Sequence, residues 1–203
     1  MEIIEQSVES IDTLDSDFYI SVVDKIERAA RTCYKSEEKQ TSTSYINFIK
    51  NLIKSGHESV LEHANITLKW ITDRGVSHEL VRHRIASYSQ ESTRYCNYEK
   101  KGIQFIKPVD FELSDRVIDC LESIVWNYEN MLRNGRTPQQ ARAILPNCLK
   151  TEIVLTMNIR EWRHMLKLRT SKAAHPQMRD MAIKTLNLLH ANLPILFDDI
   201  EVA

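Results

Sequence analysis

A chain of 203 residues with 42% hydrophobic and 27% charged side chains can bury a sizeable core and has the composition of an ordinary globular protein. Its formal net charge of −1 argues against a protein built to coat nucleic acid, and no apolar run is long enough to span a bilayer. Only four glycines are present, at 56, 75, 102 and 135, so neither a GxGxxG turn nor a P-loop exists, and any bound nucleotide must be gripped mainly by side chains.

The first 24 residues hold seven acids and no Lys or Arg, the opposite of a secretory leader. The four cysteines (Cys33, Cys96, Cys120, Cys148) form no CxxC pair, which suggests neither a zinc knuckle nor a disulfide framework and points to a cytoplasmic protein. From 44 to 55, Tyr45, Ile46, Phe48, Ile49, Leu52 and Ile53 recur at helical spacing and Gly56 supplies the stop. "NITLKWI" (65–71) alternates like a strand, and a short helix is expected from about Gly75 to Val81.

The strongest helical stripe lies at 115–134, from Val117 through Leu121, Ile124 and Tyr128 to Leu132, with Gly135 ending it. "TPQQARAIL" opens a short helix over 138–145, with Thr137 as N-cap, Pro138 first and Gln140 completing a capping box. "LKTEIVLT" (149–156) reads as a strand, and "NIREWRHMLKLR" as a helix capped by Asn158 with Glu161 three residues on. A last helix from about 177 to 192 stops before Pro194. Helices and separated strands without regular βαβ alternation predict an α+β fold, one domain over 1–203 with an antiparallel or mixed sheet flanked by helices.

Two basic stretches stand out. In "RHRIASYSQESTRY" (82–95) an extended backbone puts Arg82 and Arg84 on one face and His83 on the other, and Ser92 and Arg94 follow one strand-step apart. Charge-assisted bonds from Arg and Ser suit a phosphate, and a solvated basic turn is the plain alternative. Residues 160–179 hold six cations against Glu161 alone. On a helical wheel Arg160, His164 and Lys167 share one face and Trp162, Met165 and Leu166 the other, with Arg169 among the apolar group. A guanidinium there requires an acid or a ligand, because an unpaired buried charge is costly. Its acid could come from the N-terminus or from Asp198, Asp199 or Glu201. Arg142 reads as solvated and Asn158 as a cap. "GHESVLEH" (56–63) invites a metal, but His57 and His63 lie roughly 240° apart on a helix, and neither HExxH nor HxxEH is present. No metal site is expected.

Arg82-His83-Arg84, seven residues, then Ser92 resembles the signature of the flavin-dependent thymidylate synthases. "GHESVLEH", "RAILP" (142–146), "NIREWRHMLKLR" (158–169) and the Ala-rich stretch after it follow in family order and spacing, so the resemblance spans about residues 28–190. It implies reductive methylation of dUMP to dTMP in a homotetramer, with methylenetetrahydrofolate as carbon donor, NADPH as reductant and FAD carrying the hydride, and no nucleic-acid or membrane partner. Carried over, Ser59, Arg82, His83, Arg84, Gln90, Asn158, Arg160 and His164 would contact FAD. Glu79, Arg82, Gln90, Ser92, Thr93, Arg94, Arg142 and Arg169 would hold dUMP, with Arg169 as the catalytic arginine that polarises the uracil ring. His57 would lie near the access route for folate or nicotinamide. Three positions depart from the commonest family pattern: Glu79 stands where Gln is often found, Gln90 where Glu is frequent, and "AAHPQMR" (173–179) replaces an Ala-Gln-x-Glu-Ile-Arg run.

"LPNC" (145–148) resembles the Leu-Pro-Pro-Cys stretch of the unrelated folate-reducing thymidylate synthases, but nothing else of that family is visible and Cys148 reads as structural. The rival of another class is a non-catalytic binder of RNA or nucleotide using the two basic stretches, which predicts steeply salt-dependent polynucleotide binding and no flavin.

Overall fold

The computed structural model describes residues 1–99 and 102–202. Its frame is a four-stranded antiparallel sheet in the order β2 (Ser7–Ser10), β3 (Asn65–Asp73), β6 (Lys150–Asn158), β4 (Ala86–Gln90). The two long strands pair from Asn65 opposite Asn158 to Asp73 opposite Lys150. Both expected strands are present, the first running two residues past Ile71 and the second shifted slightly toward Asn158.

Strict alternation sorts the two faces. Ile66, Leu68, Trp70 and Thr72 of β3 and Thr151, Ile153, Leu155 and Met157 of β6 are all buried. Each large apolar side chain there contributes about 1.5–3 kcal/mol of burial. The opposite face is polar apart from Ile71 and Val154: Lys69 lies between Glu9 (2.9 Å) and Glu152 (3.7 Å), and the Thr67 and Thr156 hydroxyls meet at 2.9 Å.

Helices cover the apolar face: α1 (Ser16–Tyr34), α2 (Tyr45–Lys54), α6 (Ile159–Arg169), α7 (Pro176–Asn192) and the short α8 (Pro194–Phe197). The core they enclose includes Val23, Ile26, Ile49, Trp162, Met181 and Phe197. α2 and α7 match their expected spans, and Gly56 follows α2 at φ +72, the left-handed backbone that ends a helix most easily with glycine. α1 is not among the expected elements. Its signals were present: Asp15 caps it by accepting from the Phe18 N–H at 2.8 Å, and Val22, Val23, Ile26 and Ala30 bury one stripe.

A second, smaller core lies beside the first. β1 (Glu2–Ile4) pairs in parallel with β5 (Gln104–Ile106). Phe105 packs with Leu149 and with Leu121 and Tyr128 of α4 (Asp115–Arg133). α5 (Pro138–Ala141) starts at the expected Thr137 cap, whose N–H donates to Gln140 Oε1 at 3.0 Å. The chain then tightens to a 3₁₀ turn over Arg142–Ile144, so the expected 138–145 helix is only half α-helical.

The acidic C-terminus has a different partner from the one expected. Arg163, 1% exposed, holds both carboxylate oxygens of Asp199 at 2.7 Å, approaches Glu58 at 3.4 Å and donates to the Leu196 carbonyl. That clamp ties α6 to the segment after α8 and leaves Arg169 to find its acid elsewhere.

Candidate active site

The Arg-His-Arg segment is neither helix nor strand. It fills the turn between α3 (Arg74–Leu80) and β4. Asp73 caps α3 by accepting from the Val76 N–H at 2.6 Å, and the Tyr88 hydroxyl reaches back from β4 to bond the carbonyls of Leu80 (2.9 Å) and His83 (2.7 Å). The turn is thereby pinned at both ends. Arg82 and Arg84 are exposed and His83 is buried, but the backbone is not the extended one considered from the sequence: the N–H groups of Arg82 and His83 bond the carbonyls of Glu79 (3.3 Å) and Leu80 (3.1 Å) as a tight turn does.

His83 sits at the centre of a buried polar cluster. Its Nδ1 lies 3.3 Å from Glu161 Oε1, and its Nε2 accepts from Arg169 Nε at 3.1 Å. Arg169 Nη1 also donates to Glu79 Oε2 at 3.1 Å, and Nη2 approaches the Glu79 carbonyl at 3.5 Å. The acid that answers the arginine on the apolar side of α6 is therefore Glu79 of α3. Burial, then the charge of Arg169, then that of His164 push the His83 imidazole down to about 4, so it is neutral at physiological pH. Its contact with Glu161 is a hydrogen bond to a neutral ring and not an ion pair. Burial likewise raises the Glu161 carboxyl, with His164 opposing.

α6 carries the neighbouring groups. Asn158 caps it, its Oδ1 accepting from the Glu161 N–H at 2.9 Å. Arg160, His164 and Lys167 face out while Trp162, Met165 and Leu166 are buried, as the wheel predicts. His164 meets the His83 ring edge-on with centroids 6.1 Å apart. Arg160 pairs with Glu62 at 2.5 Å on the surface. A half-open cavity of about 320 Å³ lies beside it, lined by Ala30, Tyr34, His57, Ser59 and Arg160 among others. His57 and Ser59 stand at the start of a 3₁₀ segment over Glu58–His63.

Ser92, Thr93 and Arg94 form a turn after β4, not a continuation of the strand, with the Ser92 carbonyl accepting from the N–H groups of Tyr95 and Cys96. Thr93 Oγ1 accepts from Arg142 Nη1 at 3.1 Å, and Arg94 Nε donates to Gln139 Oε1 at 3.0 Å. Both arginines are exposed. Gln90, at the end of β4, turns toward α3 and donates to Ser77 Oγ (2.9 Å) and Thr151 Oγ1 (3.2 Å). The chain thus presents a cavity at His57, Ser59 and Arg160, a buried cluster around His83 and Arg169, and an exposed arginine pair at 94 and 142. No hydrogen bond or ion pair joins that arginine pair to His83 or Arg169 among the described residues. No group of three His, Cys, Asp or Glu is placed to hold a metal ion among them.

Gln139 takes part here without having been singled out in the sequence, and Glu161, named there only as the residue three after the Asn158 cap, takes part as the partner of His83. Their signal is weak because each partner is distant in the chain: 78 residues separate Glu161 from His83. Cys148 is free and half-buried, and burial raises its thiol, the opposite of an activated nucleophile.

A family model described as "Thymidylate synthase complementing protein" matches residues 21–195. The flavin-dependent thymidylate synthase of Corynebacterium aurimucosum is 35% identical over 198 residues, covering 87% of this chain and 79% of the relative. That of Geobacter sulfurreducens is 36% identical over 183 residues, covering 84% and 78%. Among solved structures, a UMP/dUMP methylase from Streptomyces cacaoi bound with 5-Br dUMP superposes with a TM-score of 0.80 at 23% identity, over 98% of this chain and 96% of that one. A flavin-dependent thymidylate synthase from Helicobacter pylori complexed with FAD and dUMP gives 0.78 at 24% identity, over 96% and 99%. The sequence relatives, the matched family model and the shared fold agree: the chain belongs to the flavin-dependent thymidylate synthase family.

Proposed function

We propose that this protein converts dUMP to dTMP by reductive methylation, taking the carbon from methylenetetrahydrofolate and the electrons from NADPH through FAD. The observation that carries the reading is Arg169. Its guanidinium stands at the end of α6, held by His83 and Glu79 and still 17% exposed, where a planar anionic ligand can reach it.

The donor set fits FAD. Arg82 and Arg84 are exposed on the pinned turn and Arg160 lines the cavity at His57 and Ser59, and such cations suit a pyrophosphate held without a glycine turn. Ser59, Arg82, His83, Arg84, Gln90, Asn158, Arg160 and His164 would hold it, His83 chiefly through its ring because both its nitrogens are engaged. Bound FAD supplies the redox chemistry that carries reducing electrons to the one-carbon unit. Arg94 and Arg142 offer exposed guanidiniums for the dUMP phosphate, with half-buried Ser92 and buried Thr93 beside them, and Glu79, Arg82, Gln90 and Arg169 would contact the nucleotide as well. Arg169 does its work at the uracil ring, stabilising charge on a ring oxygen and favouring the N3-deprotonated form. His57 lies at the cavity rim, on the access route for folate or nicotinamide.

Drawing one site from chain segments as distant as Ser59, Arg84, Arg142 and Arg169 supports a homotetramer in which copies share each site. A single domain working in the cytoplasm, with no nucleic-acid or membrane partner, completes the reading; among the described residues no helix is long and apolar enough to cross a membrane.

The test is the visible spectrum of purified protein after incubation with FAD and removal of free ligand. A retained flavin spectrum that NADPH bleaches faster with dUMP present is expected. A folded, colourless protein would overturn the reading and favour the nucleotide-binding alternative.

A further inference from the structure

The capping position of Glu161 sets up an unusual choice. At the third residue of α6, a glutamate ordinarily folds back onto the backbone N–H of the cap residue. Glu161 donates its own N–H to Asn158, but its carboxylate crosses to Nδ1 of His83. Glu161 and His83 are each only 7% exposed, so few waters are available to replace either partner.

The tautomer of His83 follows from Arg169. A guanidinium has donors only, so the ring nitrogen 3.1 Å from Arg169 Nε must offer its lone pair. The proton of the neutral ring then sits on Nδ1, which requires an acceptor, and Glu161 is the acceptor present. The low basicity of the buried imidazole agrees with this neutral form. His83 cannot drift, since Tyr88 pins its carbonyl and that of Leu80. Three of the five N–H donors of Arg169 are thus engaged, one by His83 and two directed at Glu79, which leaves one on each terminal nitrogen.

We propose that Glu161 is a positioning residue for the reaction: by accepting from Nδ1 of His83 it fixes the tautomer whose Nε2 receives Arg169 Nε–H, and so sets the direction in which the guanidinium meets the uracil ring. The role rests on the functional reading above. Without the acceptor, His83 gains nothing from keeping its proton on Nδ1. The alternative tautomer turns an N–H toward Arg169 and expels its Nε–H from the contact. The guanidinium then loses one of its fixed edges.

The experiment compares Glu161→Leu and Glu161→Gln with the parent. Nitrogen-15 spectra of histidine-labelled protein read the His83 tautomer, retained flavin absorbance reads cofactor binding, and steady-state kinetics separate kcat from KM. The parent should show His83 protonated on Nδ1. E161L should mix the tautomers and lower kcat by about 10- to 100-fold, with flavin retained and the dUMP KM within about threefold. E161Q should keep the Nδ1 tautomer and most of the turnover, because its amide oxygen still accepts. A purely structural glutamate would change the melting temperature without moving the tautomer.

Parental His83 protonated on Nε2 overturns the proposal even if E161L fails to fold. Equal loss in E161Q and E161L overturns it too. An active parent matched by an active E161L refutes this role alone, whereas a flavin-free, inactive parent refutes the functional reading and this role with it.

Discussion

Arg169 and Glu79 form an ion pair 3.1 Å long between the last turn of α6 and the last turn of α3, with side chains 17% and 28% exposed. The pair brings a carboxylate to the cation on which the proposed chemistry depends. A negative charge there offsets the field that Arg169 directs at an anionic nucleotide, and the offset is felt most at low ionic strength. Glu79→Gln keeps an acceptor for Nη1 and removes the charge. The dissociation constant for dUMP should fall about three- to tenfold at low salt and less at high salt, read by calorimetric titration at two ionic strengths. Weaker binding would mean that the contact Glu79 makes with dUMP depends on its charge, and unchanged binding that this charge does not oppose the nucleotide; either outcome refutes the prediction.

Arg169→Ala should abolish turnover while the protein keeps its flavin, because the residues proposed to hold FAD lie at the turn, the cavity and the start of α6. Cys148→Ala should stay within about twofold of the parent, since a thiol raised by burial is a poor nucleophile. Parallel kinetics and flavin spectra of the two variants check this, and the reverse pattern would replace the arginine mechanism with covalent catalysis.

The stability of the protein should fall on acidification through His83. Its folded value of about 4 lies below the ordinary 6.5, so the folded state binds fewer protons. The contribution is complete above pH 6.5 and is lost as the pH drops from there toward 4, up to about 3 kcal/mol. Glu161, raised by burial, works in the opposite direction as it protonates, and the charge of Arg169 and the His164 ring are the other groups acting on His83. Thermal melts from pH 7 to 4.5 should show a smaller acid loss for His83→Asn than for the parent. Parallel slopes would assign the loss to other groups.

Most local structure followed from the order of residues. Period-two alternation in 65–71 and 149–156 marked the central strands, the caps Thr137 and Asn158 marked two helix starts, and the wheel of 158–169 sorted the six side chains it assigned, Arg160, His164 and Lys167 against Trp162, Met165 and Leu166, while Arg163 is buried and Leu168 exposed. These features depend on neighbours within a few residues, and the sequence holds that information directly. The short strands β1, β2, β4 and β5 were not legible, because three to five residues carry too little pattern and depend on partners from elsewhere in the chain. The long α1 was a different case: its cap and stripe were there to be seen behind an acidic start.

The family, the chemistry and the residue types of the site were set by the sequence itself, through motifs whose spacing survives without any knowledge of the fold. Pairing was decided only in three dimensions. The sequence showed that Arg169 needed an acid and offered the C-terminal acids as one source. Folding gave Asp199 to Arg163, Glu79 to Arg169 and Glu161 to His83, across separations of 36, 90 and 78 residues. The physical reason is that the energy of a buried charge depends on which dipoles and counter-charges surround it, and at those separations the packing of α3 and α6 against the sheet decides who the neighbours are.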